Sequence, residues 1–175
     1  MKKIILILLL LPLFTLAQKK DKKLQGKIKE TIKSFNGDIG IYVKNLRTGK
    51  TVSINADSIF PTASIVKVPI LVGIMDKIEK GELKYDQQLT YKDSLLYAGE
   101  DILGSFKNDE KIALKKVMML MLTTSDNTAS LWLQSLAGTG TRINSILDSF
   151  GFKQTRVNSR TTGRETKRTQ YRGGQ

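Results

Sequence analysis

Hydrophobic and polar positions alternate in blocks along the chain, and most blocks carry a helical period. Leu24, Ile28, Ile32 and Phe35 are spaced four, four and three, which predicts an amphipathic helix over residues 24–35. Asn36-Gly37 breaks it. Residues 39–43 are rich in β-branched side chains and predict a strand. Arg47-Thr48-Gly49-Lys50 then supplies a turn, and residues 51–54 return as a second strand. Residues 65–78 are strongly apolar over most of the helical surface, the pattern of a helix buried in the middle of a domain. Pro69 falls in its second turn and should free the carbonyl of Ile65, and Gly81 should end it. Residues 83–104 are mixed and polar and read as short loops. Residues 111–122 predict a second apolar helix, with Met118, Met119 and Met121 as core filler. A further helix starts near Asn127 and carries Leu131, Trp132, Leu133 and Leu136. Gly138-Thr139-Gly140 reads as a loop. Ile143, Ile146, Leu147 and Phe150 form a last amphipathic helix, stopped at Gly151. From Lys153 the chain is basic and irregular, and no internal repeat is visible.

Composition narrows the chemistry. The chain has 175 residues, no cysteine and no histidine. A disulfide framework, the usual zinc sites and a Ser-His-Asp triad are therefore excluded. Any serine chemistry must use a lysine, glutamate or aspartate as base. Residues 1–17 read as a secretory signal: Lys2-Lys3, an apolar stretch, then Thr15-Leu16-Ala17 as the cleavage site. The expected location is periplasmic or secreted, with residues 18–24 as a linker and residues 25–175 as one domain. Net charge is +13, or +11 once Lys2 and Lys3 are removed. The excess sits in Lys19-Lys20-Asp21-Lys22-Lys23 and in the arginines beyond residue 155. Export and the lack of interleaved aromatics argue against a nucleic-acid partner. A solvated basic surface facing an anionic envelope fits better.

Two short motifs bear on function. Ser64-Ile65-Val66-Lys67 places a hydroxyl and an amine one helical turn apart, the minimum for a nucleophile that lacks a histidine base. Alone it is equally a capping serine and a solvated lysine. Ser125-Asp126-Asn127 is by itself a good helix N-cap. That triplet occurs by chance in only roughly 2% of chains this long, and here it joins two apolar helices some sixty residues after the first motif.

Together these segments resemble the penicillin-recognising serine enzymes, and within them the class A β-lactamases, whose signature is S-x-x-K, S-D-N and K-T-G. Phe60-Pro61-Thr62-Ala63-Ser64-Ile65-Val66-Lys67 is similar to the nucleophile segment. Leu120-Met121-Leu122-Thr123-Thr124-Ser125-Asp126-Asn127-Thr128-Ala129 is similar to the second motif and its preceding helix. The resemblance implies an α/β fold of the β-lactamase/transpeptidase kind: a helical part over about 63–152 and, within residues 25–60, a fragment of the antiparallel sheet part made by the hairpin of residues 39–54.

It also implies roles. Ser64 would be the acylated nucleophile, and its backbone N–H one oxyanion donor. Lys67 would take or relay the Ser64 proton. Ser125 would pass a proton to the lactam nitrogen. Asn127 would tie Lys67 and the substrate in place, while Asp126 orders the loop. Glu165 is the candidate for activating the deacylating water, although the family's glutamate-x-x-leucine-asparagine spacing is absent around it. Tyr97, before Ala98-Gly99, is a candidate pocket-wall aromatic.

The implied reaction opens a β-lactam and needs neither metal nor cofactor. The protein is expected as a monomer, with peptidoglycan as a further partner. A penicillin-binding protein or peptidoglycan peptidase, and a non-catalytic envelope-binding protein, remain open beside it. No K-T-G or K-S-G follows Ser125. The sequence therefore reads as the N-terminal two-thirds of such an enzyme, expected to fold poorly alone and to hydrolyse little.

Overall fold

The computed structural model describes residues 19–97 and 101–158. Its contacts divide the chain into two units whose boundary falls between Ile59 and Phe60. The first unit opens with α1, Lys22–Thr31. Asp21 caps it, its side chain accepting from the Leu24 N–H at 3.0 Å. The expected linker is therefore not what residues 19–24 form. Lys20 bridges to Thr51, the Asp21 N–H donates to the Thr51 carbonyl at 2.8 Å, and the Thr51 N–H donates to the Lys19 carbonyl at 2.9 Å. An aspartate among the lysines supplies a cap, and the helix starts there. It stops earlier than its periodicity suggests, because the bonds from Lys33 to Glu30 and from Phe35 to Ile32 tighten the chain into i→i−3 turns.

β1, Ile41–Lys44, pairs antiparallel with β2, Thr51–Ile54, with Ile41 opposite Ile54 and Val43 opposite Val52. The Asn45 side chain holds the turn, accepting from the N–H groups of Arg47 and Thr48 at 3.0 and 2.9 Å.

The second unit begins with a 3-10 turn, Ala63–Val66, that runs directly into α2, Lys67–Glu79. Pro69 is thus the third residue of α2 and lies in its first turn, where a missing N–H breaks no helical bond. α2 is also not buried all round. Pro69, Ile70, Gly73 and Ile74 face inward. Val68, Met75 and Ile65 of the preceding turn are exposed. α2 ends with the Gly81 N–H bonded to the Ile78 carbonyl at 3.0 Å and the Glu82 N–H bonded to the Lys77 carbonyl at 2.9 Å. This closure needs a left-handed residue, and Gly81 has φ +73°.

β3, Gln88–Thr90, and β4, Lys111–Ala113, form a second antiparallel pair in a region read from the sequence as loop and helix. Leu89 and Ile112 face each other and are buried; Leu89 lies between exposed residues, while Ile112 has exposed Lys111 on one side and buried Ala113 on the other. Ala113 is extended, and the helix expected from residue 111 starts three residues later as α3, Leu114–Thr123.

α4 is Asn127–Leu136 and α5 is Thr139–Ser149. Of the expected Gly138-Thr139-Gly140 loop only Gly138 lies outside α5. Gly151, at φ +82°, closes α5 as Gly81 closes α2. Beyond it, the buried Asn144 side chain exchanges two hydrogen bonds with the Val157 backbone, at 2.8 and 2.9 Å.

Ile70, Ile74, Val117, Met121, Leu133 and Ile143 make up much of the core. Trp132 meets Tyr91 edge-on at 6.1 Å. The methionines divide: Met118 and Met121 are core, whereas Met119 and Met75 are exposed, at 52% and 45%. Among the described residues no helix is long and apolar enough to cross a membrane.

Candidate active site

The site is built where the 3-10 turn, α2 and the junction of α3 with α4 meet. Side chains three apart in a 3-10 turn eclipse one another, so Lys67 lies over Ser64. The Lys67 Nζ is 3.3 Å from the Ser64 Oγ. Ala63, just before Ser64, has φ +44°. Ser125 follows α3 in the position usually given to glycine, with φ +57°. For a residue with a Cβ that conformation costs roughly 1–2 kcal/mol. What it achieves is visible in the contacts. Lys67 Nζ donates to both the carbonyl of Ser125, at 2.7 Å, and its hydroxyl, at 2.8 Å. The Ser125 hydroxyl donates in turn to the Ser64 Oγ at 2.9 Å. One member of the hydroxyl pair, Ser125, and the residue before the other, Ala63, are thus strained, the kind of outlier that collects at functional sites.

Asn127, first residue of α4, completes the cluster, its side-chain oxygen accepting from Lys67 Nζ at 2.9 Å. The amine thus has four oxygens within 3.3 Å, and Lys67 as a residue is only 5% exposed. Burial pushes its pKa below the ordinary 10.5; the negative charges of Asp101 and then Asp126 oppose that shift. Ser64 remains exposed, so the hydroxyl is accessible while its amine neighbour is not. That combination suits a hydroxyl attacking an electrophile from outside, with its proton passed inward to an amine.

Asp126 is the N-cap of α4, its side chain accepting from the Ala129 N–H at 2.7 Å and, through the other oxygen, from the Leu103 N–H at 2.8 Å. Asp101 and Thr128, which the sequence did not single out, also belong to this junction. The Asp101 carboxylate accepts from the Asn127 and Thr128 N–H groups and from the Thr128 hydroxyl. Tyr97 is half-buried, and its backbone N–H donates to the Thr128 Oγ1 at 3.0 Å, which brings residue 97 beside the start of α4. Of the expected residues the structure gathers Ser64, Lys67, Ser125 and Asn127 into one cluster, with Tyr97 tethered next to it. Glu165 lies outside the described residues, as does the signal segment 1–17. Among the described residues no group of three histidine, cysteine, aspartate or glutamate side chains could hold a metal.

A serine hydroxyl served by a lysine amine, on a helical unit that carries one small antiparallel pair of its own, defines a class of protein in which imidazole plays no part. The family can be stated as well. Residues 23–173 match the model of the beta-lactamase enzyme family, and the chain belongs to that family. It is 29% identical over 155 residues to Beta-lactamase VEB-1 of Pseudomonas aeruginosa, covering 86% of this chain and 52% of that protein. It is 32% identical over 89 residues to the Beta-lactamase regulatory protein BlaB of Streptomyces cacaoi, covering 50% of this chain and 28% of that protein. Among solved structures it is similar to PBP-A, with a TM-score of 0.74, 28% identity, and coverage of 81% of this chain and 54% of PBP-A. A single-residue variant of PBP-A, solved as an acyl-enzyme complex with penicillin G, matches with a TM-score of 0.75, 27% identity, and coverage of 86% of this chain and 56% of that one. The chain thus spans about half the length of VEB-1 and of PBP-A. The fold is of the β-lactamase/transpeptidase kind, a helical part with an incomplete sheet, to which β3 and β4 add a second small pair.

Proposed function

We propose that this chain acts as a serine β-lactamase-type hydrolase, exported after Ala17 to the periplasm or beyond and working as a monomer. The observation that carries the reading is the Lys67 amine held against the hydroxyls of both Ser64 and Ser125. In the first step the Ser64 Oγ attacks the lactam carbonyl carbon and its proton passes to the neutral Lys67 amine. The Ser64 N–H, in the first turn of a helical segment where such groups lack intrahelical partners, would face the developing oxyanion. The proton then moves through the Ser125 hydroxyl to the lactam nitrogen as the C–N bond breaks, leaving a Ser64 ester. Water, deprotonated by Glu165, would cleave that ester and restore the Ser64 hydroxyl. No metal or cofactor enters this scheme.

The similarity to PBP-A favours one second reading: the same acylation at Ser64, with peptidoglycan peptide as natural substrate and without dependence on Glu165. Acylation is the step that both readings share. The test therefore follows the covalent adduct, not turnover. Wild type and Ser64→Ala are incubated with a fluorescent penicillin and read by intact mass. A serine-dependent adduct is expected; no adduct on folded wild type overturns both readings. An adduct whose lifetime lengthens in Glu165→Gln supports the lactamase, and one whose lifetime is unchanged supports the peptidase.

A further inference from the structure

The start of α4 receives more side-chain acceptors than a single capping residue supplies. Asp126, its N-cap, takes the third N–H, that of Ala129. One capping side chain ordinarily satisfies one such donor. Here a second carboxylate arrives from twenty-six residues away. Oδ2 of Asp101, half-buried, accepts from the Asn127 N–H at 3.1 Å, the Thr128 N–H at 2.8 Å and the Thr128 hydroxyl at 3.1 Å. All three leading N–H groups of α4 are thereby bound to side-chain carboxylates. The residue whose backbone Asp101 grips is the one whose side-chain oxygen receives the Lys67 amine at 2.9 Å. The same Thr128 hydroxyl accepts the Tyr97 N–H, so residues 97 and 101 are both pinned to one side chain.

We propose that Asp101 is a positioning residue of this site: by fixing the backbone of Asn127 and Thr128 it holds the Asn127 side chain, and through it the Lys67 amine, in register with the Ser64 and Ser125 hydroxyls. The proposal rests on the reading of Ser64 as the acylated hydroxyl. Geometry is one half of the effect and charge the other. Among the described residues Asp101 and Asp126 are the carboxylates whose charges act on Lys67, Asp101 the more strongly, and both favour its protonated form against the burial that disfavours it. Asp101 thus steadies the amine and also raises the pH above which it is free to take a proton, against the larger effect of burial.

The two halves separate in two variants. Asp101→Asn keeps the shape and removes the charge; it is expected to move the pH profile of Ser64 acylation to lower pH with little loss at the plateau. Asp101→Ala removes both and is expected to lower the plateau rate by ~10–10²-fold, the scale of a small misplacement of reacting groups. Acylation by a fluorescent penicillin is measured from pH 5 to 10 on the full chain. In parallel, NMR of 13C-labelled lysine follows Lys67, assigned by Lys67→Met, in wild type and Asp101→Asn. A role confined to stability would leave both the profile and the Lys67 titration unmoved, and that result overturns the proposal. Absence of acylation in folded wild type overturns the hydrolase reading instead. The Lys67 titration then decides alone: a downward shift in Asp101→Asn upholds the link, and an unchanged titration removes it.

Discussion

Lys67 is the residue on which the chemistry and the energetics of the second unit meet. Its side chain is buried among oxygen acceptors, and its pKa is held below 10.5 chiefly by desolvation. The sign of the consequence follows from proton counting. Between the lowered value and 10.5 the unfolded chain binds more protons than the folded one, so stability rises with pH across that window. Below the folded pKa the cost of burying the charge is present in full. Lys67→Met removes this contribution. Unfolding in urea at a series of alkaline pH values should therefore give a wild-type curve that gains on the variant as pH rises, by no more than about 1.4 kcal/mol per pH unit. A constant difference between the two would show that Lys67 titrates alike in both states. At this scale the sequence was informative where spacing is local. Ser64 and Lys67 could be paired because three residues separate them. Ser125 and Asn127 became legible through the motif they share. Asp101 could not be found, because a carboxylate that caps a helix twenty-six residues further on leaves no periodic or local trace. The left-handed backbone of Ser125 was equally hidden, since serine carries no mark of that conformation.

Elements ended by a backbone requirement were easier to read than elements defined by their length. Gly81 and Gly151 mark the ends of α2 and α5 because the closing turn needs positive φ. The contrast between Gly81 and Gly26 makes this testable. Gly26 lies inside α1 with open space where a Cβ would stand, so Gly26→Ala should stabilise α1 by about 0.5–1 kcal/mol. Space is also open at Gly81, but φ is +73°, and Gly81→Ala should destabilise by roughly 1–2 kcal/mol. Urea midpoints with unchanged slopes would report both shifts. If both substitutions stabilised, the left-handed closure of α2 would not be the native one. β3 and β4 escaped detection because three residues cannot display a period of two against a helical background. The start of α3 was misplaced for a related reason: Ile112 suits a strand and a helix equally, and only its pairing with Leu89 decides. α2 is apolar over most of its surface, which predicts a helix buried in the centre of the domain. Its outer face carries exposed Val68 and Met75, which periodicity cannot foresee when apolar residues occupy both faces.

At the scale of the whole molecule, 29 basic residues meet 16 acidic ones with no histidine or cysteine between them, so neither imidazole nor thiol chemistry is available to report on the fold. Methionine takes that place. Met118 and Met119 are neighbours in sequence and opposites in setting: one is 4% exposed, the other 52%. Met121 is fully buried and Met75 is 45% exposed. Brief treatment with peroxide followed by peptide mass analysis should convert Met75 and Met119 to sulfoxides and spare Met118 and Met121; equal conversion at all four would mean that the helical core does not persist in solution. Because a sulfoxide is polar, oxidation of an inner thioether would break the packing that shielded its partner. Damage should therefore advance in two stages, a tolerated one on the surface and then an abrupt one, and the adjacent pair at residues 118 and 119 records which stage each molecule has reached.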